Sequence, residues 1–130
     1  MNYKGIIIEE SLSDTAVLHK IKILRKRKEQ VTKRHQTPWI SQWTLDTVVV
    51  PEGEIETVTT LLSKSIDTHH PTSWYIDLKN DQYHYIVFPH KIFKVDLTNP
   101  ILYQEAEYYG QHLSIPSYQM QFAKLKRKLE

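Results

Sequence analysis

Seven histidines are the first residues to weigh for chemistry. An imidazole beside a carboxylate can hold and move a proton near neutral pH. His84 and His90 share one stretch with Asp77 and Asp96, and a His–Asp pair drawn from these four would be the basis of a small enzyme. No GxSxG motif places a serine nucleophile beside them. Converging histidines would bind a metal, but His69 and His70 are adjacent, so their side chains diverge, and neither an HExxH motif nor a ligand-spaced His/carboxylate cluster occurs. The chain has no cysteine, which removes disulfides, thiolate zinc sites and a thiol nucleophile. Three glycines are too few for a phosphate-cradling loop. Neither a metal nor any other cofactor is expected, and no catalytic residue is assigned.

Carboxylates at short spacing have a plainer use. Glu52, Glu54 and Glu56 follow Pro51, where negative charge favours the positive end of a helix dipole. Glu105 and Glu107 read as a solvated helix face.

A second kind of chemistry is charge. Net charge is only +2, but residues 20–34 hold eight Lys/Arg against one acid, Glu29, while residues 35–123 hold four Lys/Arg against ten acids. Residues 124–130 are basic again. Phosphates could bind Arg25, Lys26, Arg27 and Lys28, joined by Lys126 and Arg127 of the tail. In an extended strand, however, Arg25 and Arg27 project to one side and Lys22, Lys26 and Lys28 to the other, which divides the charge. The competing explanation is an edge strand kept from unwanted pairing by its charges.

The third candidate is aromatic. Residues 73–88 contain Trp74, Tyr75, Tyr83, Tyr85 and Phe88. Tyr75, Asp77 and Lys79 share one face of their strand, and Tyr83 and Tyr85 share one face of the next. If those faces coincide, they form a surface for stacking or for a small ligand. Cross-strand aromatic pairing that steadies the sheet explains the same residues.

These side chains need elements to position them. Ile6, Ile7 and Ile8 are β-branched and predict a strand over 3–9. Residues 20–32 fit a strand or a helix. The strand is preferred, because Gln36-Thr37-Pro38 signals a turn and residues 39–50 are strongly strand-like, which together make a hairpin. Pro51 then opens a helix. Ile55, Val58, Leu61, Leu62, Ser65 and Ile66 give it an apolar stripe ending near Asp67. A loop over 68–71 leads to strands over 74–79, 83–88 and 92–96, with tight turns at Asn80-Asp81 and Pro89-His90. Thr98-Asn99-Pro100 opens a second helix with a stripe of Leu102, Ala106, Tyr109 and Leu113, and Gly110 is its candidate C-terminal cap. Residues 115–118 read as a loop.

The order βββ-α-βββ-α predicts an α+β fold: a mostly antiparallel sheet of about six strands with two helices packed on one face. Residues 1–123 form the single domain and 124–130 a basic tail. The N-terminal apolar run is too short for a secretory signal, and no stretch reaches the roughly 20 apolar residues that span a bilayer. A cytoplasmic location without membrane contact is expected.

Residues 37–51 (TPWISQWTLDTVVVP), 73–96 (SWYIDLKNDQYHYIVFPHKIFKVD) and 109–119 (YGQHLSIPSYQ), with the N-terminal GIIIEESL, resemble a family of small uncharacterised cytosolic proteins of Gram-positive bacteria. The resemblance spans most of the chain. It implies a stand-alone bacterial domain and transfers no functional residue.

Three functions follow in order. The first is a non-enzymatic binding module that uses an open aromatic sheet face, with Trp74, Tyr75, Asp77, Lys79, Tyr83 and Tyr85 as the surface. Its partner would be a protein, a small ligand or a second copy of the chain in a homodimer. The second is a nucleic-acid-binding protein that uses the basic strand and tail. The third is the small enzyme with a His–Asp pair.

Overall fold

A computed structural model describes residues 1–32, 37, 39–69, 73–115 and 119–120. Gln36, Pro38, His70, Pro71, residues 116–118 and the expected basic tail with Lys126 and Arg127 lie outside the described residues.

The strands are β1 (Tyr3–Ile8), β2 (Lys22–Gln30), β3 (Gln42–Val50), β4 (Ile76–Lys79), β5 (Tyr83–Phe88) and β6 (Lys91–Asp96), and the helices are α1 (Ile55–Ser65) and α2 (Leu102–His112). The expected α+β class and element order hold. The sheet is open, with spatial order β2-β3-β1-β4-β5-β6, and every neighbouring pair is antiparallel. Residues 20–32 resolve in favour of the strand. A helix would leave the backbone groups of β3 unpaired on that side, whereas β2 pairs with β3 along its length.

Local chemistry sets the ends. Pro51 precedes a 3₁₀ turn, Glu52–Glu54, before α1 begins. The β4–β5 turn does not use the positive φ expected at Asn80-Asp81. Instead the Asn80 carboxamide oxygen accepts from the backbone N–H of Gln82 and of Tyr83, both at 2.8 Å. Gly110 is not the cap of α2. It lies inside the helix, where an added Cβ would run into the Met120 thioether and come within 3.4 Å of Phe88. Ser114, at φ 65°, takes the left-handed position, and the bonds Ser114 N–H to Gln111 O (3.0 Å) and Ile115 N–H to Gly110 O (3.1 Å) complete a Schellman cap.

The helices do not share a face of the sheet. Ile55, Val58 and Leu62 of α1 pack with Tyr3, Ile7, Val48, Val50, Ile76, Leu78, Tyr85 and Val87. Tyr103 and Ala106 of α2 pack with Ile86, Phe88 and Val95. Because side chains alternate along β5, Tyr85 and Val87 point one way and Ile86 and Phe88 the other, so α1 and α2 lie on opposite sides. The expectation of both helices on one face is therefore corrected. β5 is apolar on both faces, and each face needs its own cover. No helix among the described residues is long and apolar enough to cross a membrane.

Candidate functional site

The α2 side of the sheet is covered at β5 and β6 and, among the described residues, left open around Ile6, Thr47 and Val49, while toward the start of β3 Leu45 is buried and Trp43 packs against Trp74. Register shows what lies there. Lys4 of β1 is opposite Val49 of β3 on one side and Lys79 of β4 on the other, and Val49 is opposite Lys22 of β2. One row across four strands therefore reads Lys22, Val49, Lys4, Lys79. The next reads Arg25, Thr47, Ile6, and the one after it Arg27, Leu45, Ile8. Opposite residues project to the same side, as do residues two apart on a strand. With strands about 4.8 Å apart and alternate residues about 7 Å apart, the five cations fit in a patch roughly 15 Å on a side.

Lys22 belongs to this patch because of a β-bulge. The register of β2 on β3 shifts between Ile23 and Arg25, with Leu24 as the extra residue. Lys22 and Arg25 are three residues apart and would face opposite ways in a regular strand. The bulge absorbs one residue and returns them to the same side. This corrects the expected grouping of Lys22 with Lys26 and Lys28, which alone face the α1 side.

The floor of the patch is aliphatic. Ile6, at its centre, is 48% exposed and Leu24 at the bulge is 51% exposed. Among the described residues none of the five cations forms an ion pair. Two acids share the face: Glu29, opposite Trp43 toward the end of β2, and Asp77, which is held by His84.

On the α1 side, a second row joins Lys26, Asp46 and Ile7. Asp46 is fully buried, and its carboxyl oxygens meet no hydrogen-bond donor among the described residues. Its neighbour is the Glu9 carboxyl, which also forms an ion pair with Lys26 Nζ at 2.8 Å. Burial first, and then the hydrogen bond with Glu9 and its charge, push Asp46 up to about 7. The bond with Asp46, followed by Lys26, holds Glu9 below the usual range. Below neutrality Asp46 thus favours its protonated form, whose O–H is the donor toward the Glu9 carboxylate. Glu10 is used structurally: its carboxylate accepts from the Thr44 backbone N–H at 2.5 Å and the Thr44 hydroxyl at 2.8 Å, capping the β3 edge where β1 stops.

Of the four residues considered for a His–Asp pair, one pair forms. His84 Nε2 lies 2.7 Å from Asp77 Oδ2, and Nδ1 lies 2.8 Å from the Tyr103 hydroxyl. A carboxylate only accepts, so Nε2–H donates to Asp77 and, in the neutral ring, Nδ1 accepts from Tyr103. Burial raises the Tyr103 hydroxyl to about 12, with the Asp77 charge adding to the effect. His84 is 1% exposed and has both ring nitrogens engaged, an arrangement that locks α2 to β5 and leaves neither nitrogen for a substrate proton. His90 and Asp96 are not brought together, because they bracket opposite ends of β6. His90 occupies the β5–β6 turn at φ 60° and lines a cleft of about 360 Å³ with Thr60, Ser63, Lys64, Lys91 and Ile92. The Asp96 carboxylate accepts from the Thr98 N–H (2.9 Å) and hydroxyl (2.7 Å), which hold it below the usual range. Among the described residues no group of acids and histidines could hold a metal ion.

The aromatic hairpin does not make one surface. The pairings Leu78–Tyr85 and Asp77–Ile86 put Tyr75, Asp77 and Lys79 on the α2 side and Tyr83 and Tyr85 on the α1 side. Trp74 is buried, its ring 5.4 Å from that of Trp43. Tyr75 packs 6.0 Å from Phe88 and donates its hydroxyl to the Gln119 carbonyl, and burial raises its pKa. Tyr85 is buried against Tyr3 at 5.3 Å, and Lys94 Nζ sits 4.1 Å from the Tyr83 ring centre. Of the six residues, only Asp77 and Lys79 border the open face.

No protein-family model, curated protein or solved structure matches the chain. The site is therefore read from its own geometry. In the sequence Lys4 stands outside the basic run and comes beside it only because β3 pairs with both β1 and β2.

Proposed function

We propose that the protein is a non-enzymatic binding module whose open sheet face takes a single strand of nucleic acid. The observation that carries this reading is the grouping of Lys4, Lys22, Arg25, Arg27 and Lys79 on one face that the described residues leave open around Ile6. Phosphate affinity grows with the number of charges neutralised together, and the register assembles cations that lie far apart in the chain. A duplex is read by an element that enters a groove, and a flat sheet offers none. A single strand can lie across such a sheet, as it does on other sheet-based readers. The floor of Ile6, Thr47 and Val49 carries no ring, and Trp43, farther along the same face, is packed against Trp74, so stacking contributes little and sequence preference is low. Like charges on the patch oppose self-association through it. Lack of cysteine fits a cytoplasmic setting, where nucleic acid is present.

Fluorescence anisotropy with a labelled 20-nucleotide oligothymidylate tests this. With five phosphates neutralised, affinity should fall about a hundredfold between 50 and 200 mM salt. Reversing Arg25 and Arg27 to Glu should abolish binding, while reversing Lys28, on the opposite side, should have little effect. Absence of binding by the unaltered protein at 50 mM salt would remove the proposal.

A further inference from the structure

We propose that the proton shared by Asp46 and Glu9 controls how firmly the edge strand β2 is held, and through it how well Arg25 and Arg27 are presented. The functional half of this inference rests on the nucleic-acid reading; the structural half does not.

The geometry links the two sites through one layer of sheet. Asp46 lies opposite Lys26, and Lys26 stands between Arg25 and Arg27. The carboxyl pair therefore sits on the reverse side of the segment that carries both arginines. Among the described residues β2 is an edge strand with β3 as its only strand neighbour. Lys26 reaches from β2 to Glu9 and ties the edge to the 3₁₀ turn Glu9–Ser11 that follows β1.

The charged groups around Asp46 are Glu9 and Glu10 from that turn and Lys26 from β2, with Lys28 acting on Glu9. β1 contributes uncharged Ile7 to the same row. Two carboxyls in hydrogen-bond contact, one fully buried and the other 24% exposed, are favoured with one proton between them. With the proton present, the pair carries one negative charge and one ammonium answers it. When Asp46 loses the proton to solvent, two anions face that ammonium, and one of them is held where no solvent reaches it. The carboxylates must separate or admit water, and either change disturbs the Lys26 tie. Burial and the Glu9 contact push the Asp46 carboxyl up to about 7, so an ordinary change of pH would work the device.

Two readouts on the full chain test this. The first needs no ligand: the Asp46 carboxyl ¹³C shift, and hydrogen exchange of the β2 amides at pH 6 and pH 8 after correction for intrinsic rates. The carboxyl should titrate near neutrality, and protection of the amides paired with β3 should fall about tenfold, the equivalent of one pKa unit. Asp46→Asn should remove the dependence on pH. Glu9→Gln, which dissolves the pair from the other side, should do so as well and covers the case in which the first variant does not fold. The second readout is oligothymidylate binding at fixed ionic strength, which should weaken from pH 6 to pH 8 in the unaltered protein and stay level in both variants. Exchange that does not change with pH, or a carboxyl that titrates near 4, would overturn the inference whatever the oligonucleotide does. Exchange that responds to pH without any binding at low salt would overturn the nucleic-acid reading and leave the strand device standing.

Discussion

Lys22 and Arg25 are separated by two residues on β2 and nevertheless point to the same side of the sheet, because Leu24 is taken up in a bulge. Regular alternation would set them on opposite sides. With Leu24 set aside, Lys22, Ile23 and Arg25 match Val49, Val48 and Thr47 in unbroken order. Deleting Leu24 should therefore be tolerated. The thermal midpoint should stay within a few degrees and oligonucleotide affinity within about twofold, since the register on either side is already regular. A loss of fold or of binding would mean that the surplus residue lies elsewhere and that part of β2 has turned over.

Stability should fall as pH rises toward neutrality. The folded pKa of Asp46 is raised from 3.8 to about 7, so the native state holds a proton that the unfolded chain gives up between those values. Stabilisation is complete below the unfolded value and is lost as pH passes the folded one. Glu9 is shifted the other way and offsets part of the effect at the acid end. A net loss of the order of 1–3 kcal/mol between pH 5 and pH 8 is expected, since one pKa unit is worth about 1.4 kcal/mol. Urea denaturation at the two pH values measures it, and Asp46→Asn should flatten the difference.

Tyr103→Phe should cost about 1–3 kcal/mol, the usual consequence of leaving a buried polar group without its partner. The group is His84 Nδ1, which accepts the Tyr103 hydroxyl at 2.8 Å. Combining Tyr103→Phe with His84→Leu should cost less than the sum of the two single changes, because the orphaned nitrogen is gone in the double variant. Chemical denaturation of the four proteins gives the coupling. Simple addition would show that the two side chains do not act as a unit.

Gly5→Ala should destabilise by about 1–3 kcal/mol through overpacking. The added Cβ would collide with the Asp77 backbone carbonyl and lie 2.7 Å from Leu78 Cδ2. Strand preference favours Ala over Gly, so a neutral or stabilising result would show that β1 and β4 can move apart. Thermal unfolding decides between these.

Much of the fold could be read in advance because its signals are local. The isoleucines of β1, the stripe Ile55, Val58, Leu62 on α1 and the runs of β5 and β6 each announce their element within a dozen residues. Interpretation failed where a side chain answered to something distant. Gly110 looks like a helix end until Met120 and Phe88 explain why no side chain fits there. The aromatic hairpin looks like one surface until the Leu78–Tyr85 pairing splits it. Asp46 shows nothing unusual in the chain, because its partner Glu9 arrives from 37 positions away.

Sequence alone determined the class and order of the elements, since helix and strand periods are written in neighbouring residues. Tertiary structure alone decided which side of the sheet each strand shows to its neighbours. It also decided that a bulge turns Lys22 over, and that Lys4 and Lys79 stand beside it. Alternation groups residues only within a strand, whereas the row in which they meet depends on pairing between segments far apart, and one absorbed residue reverses every side chain beyond it.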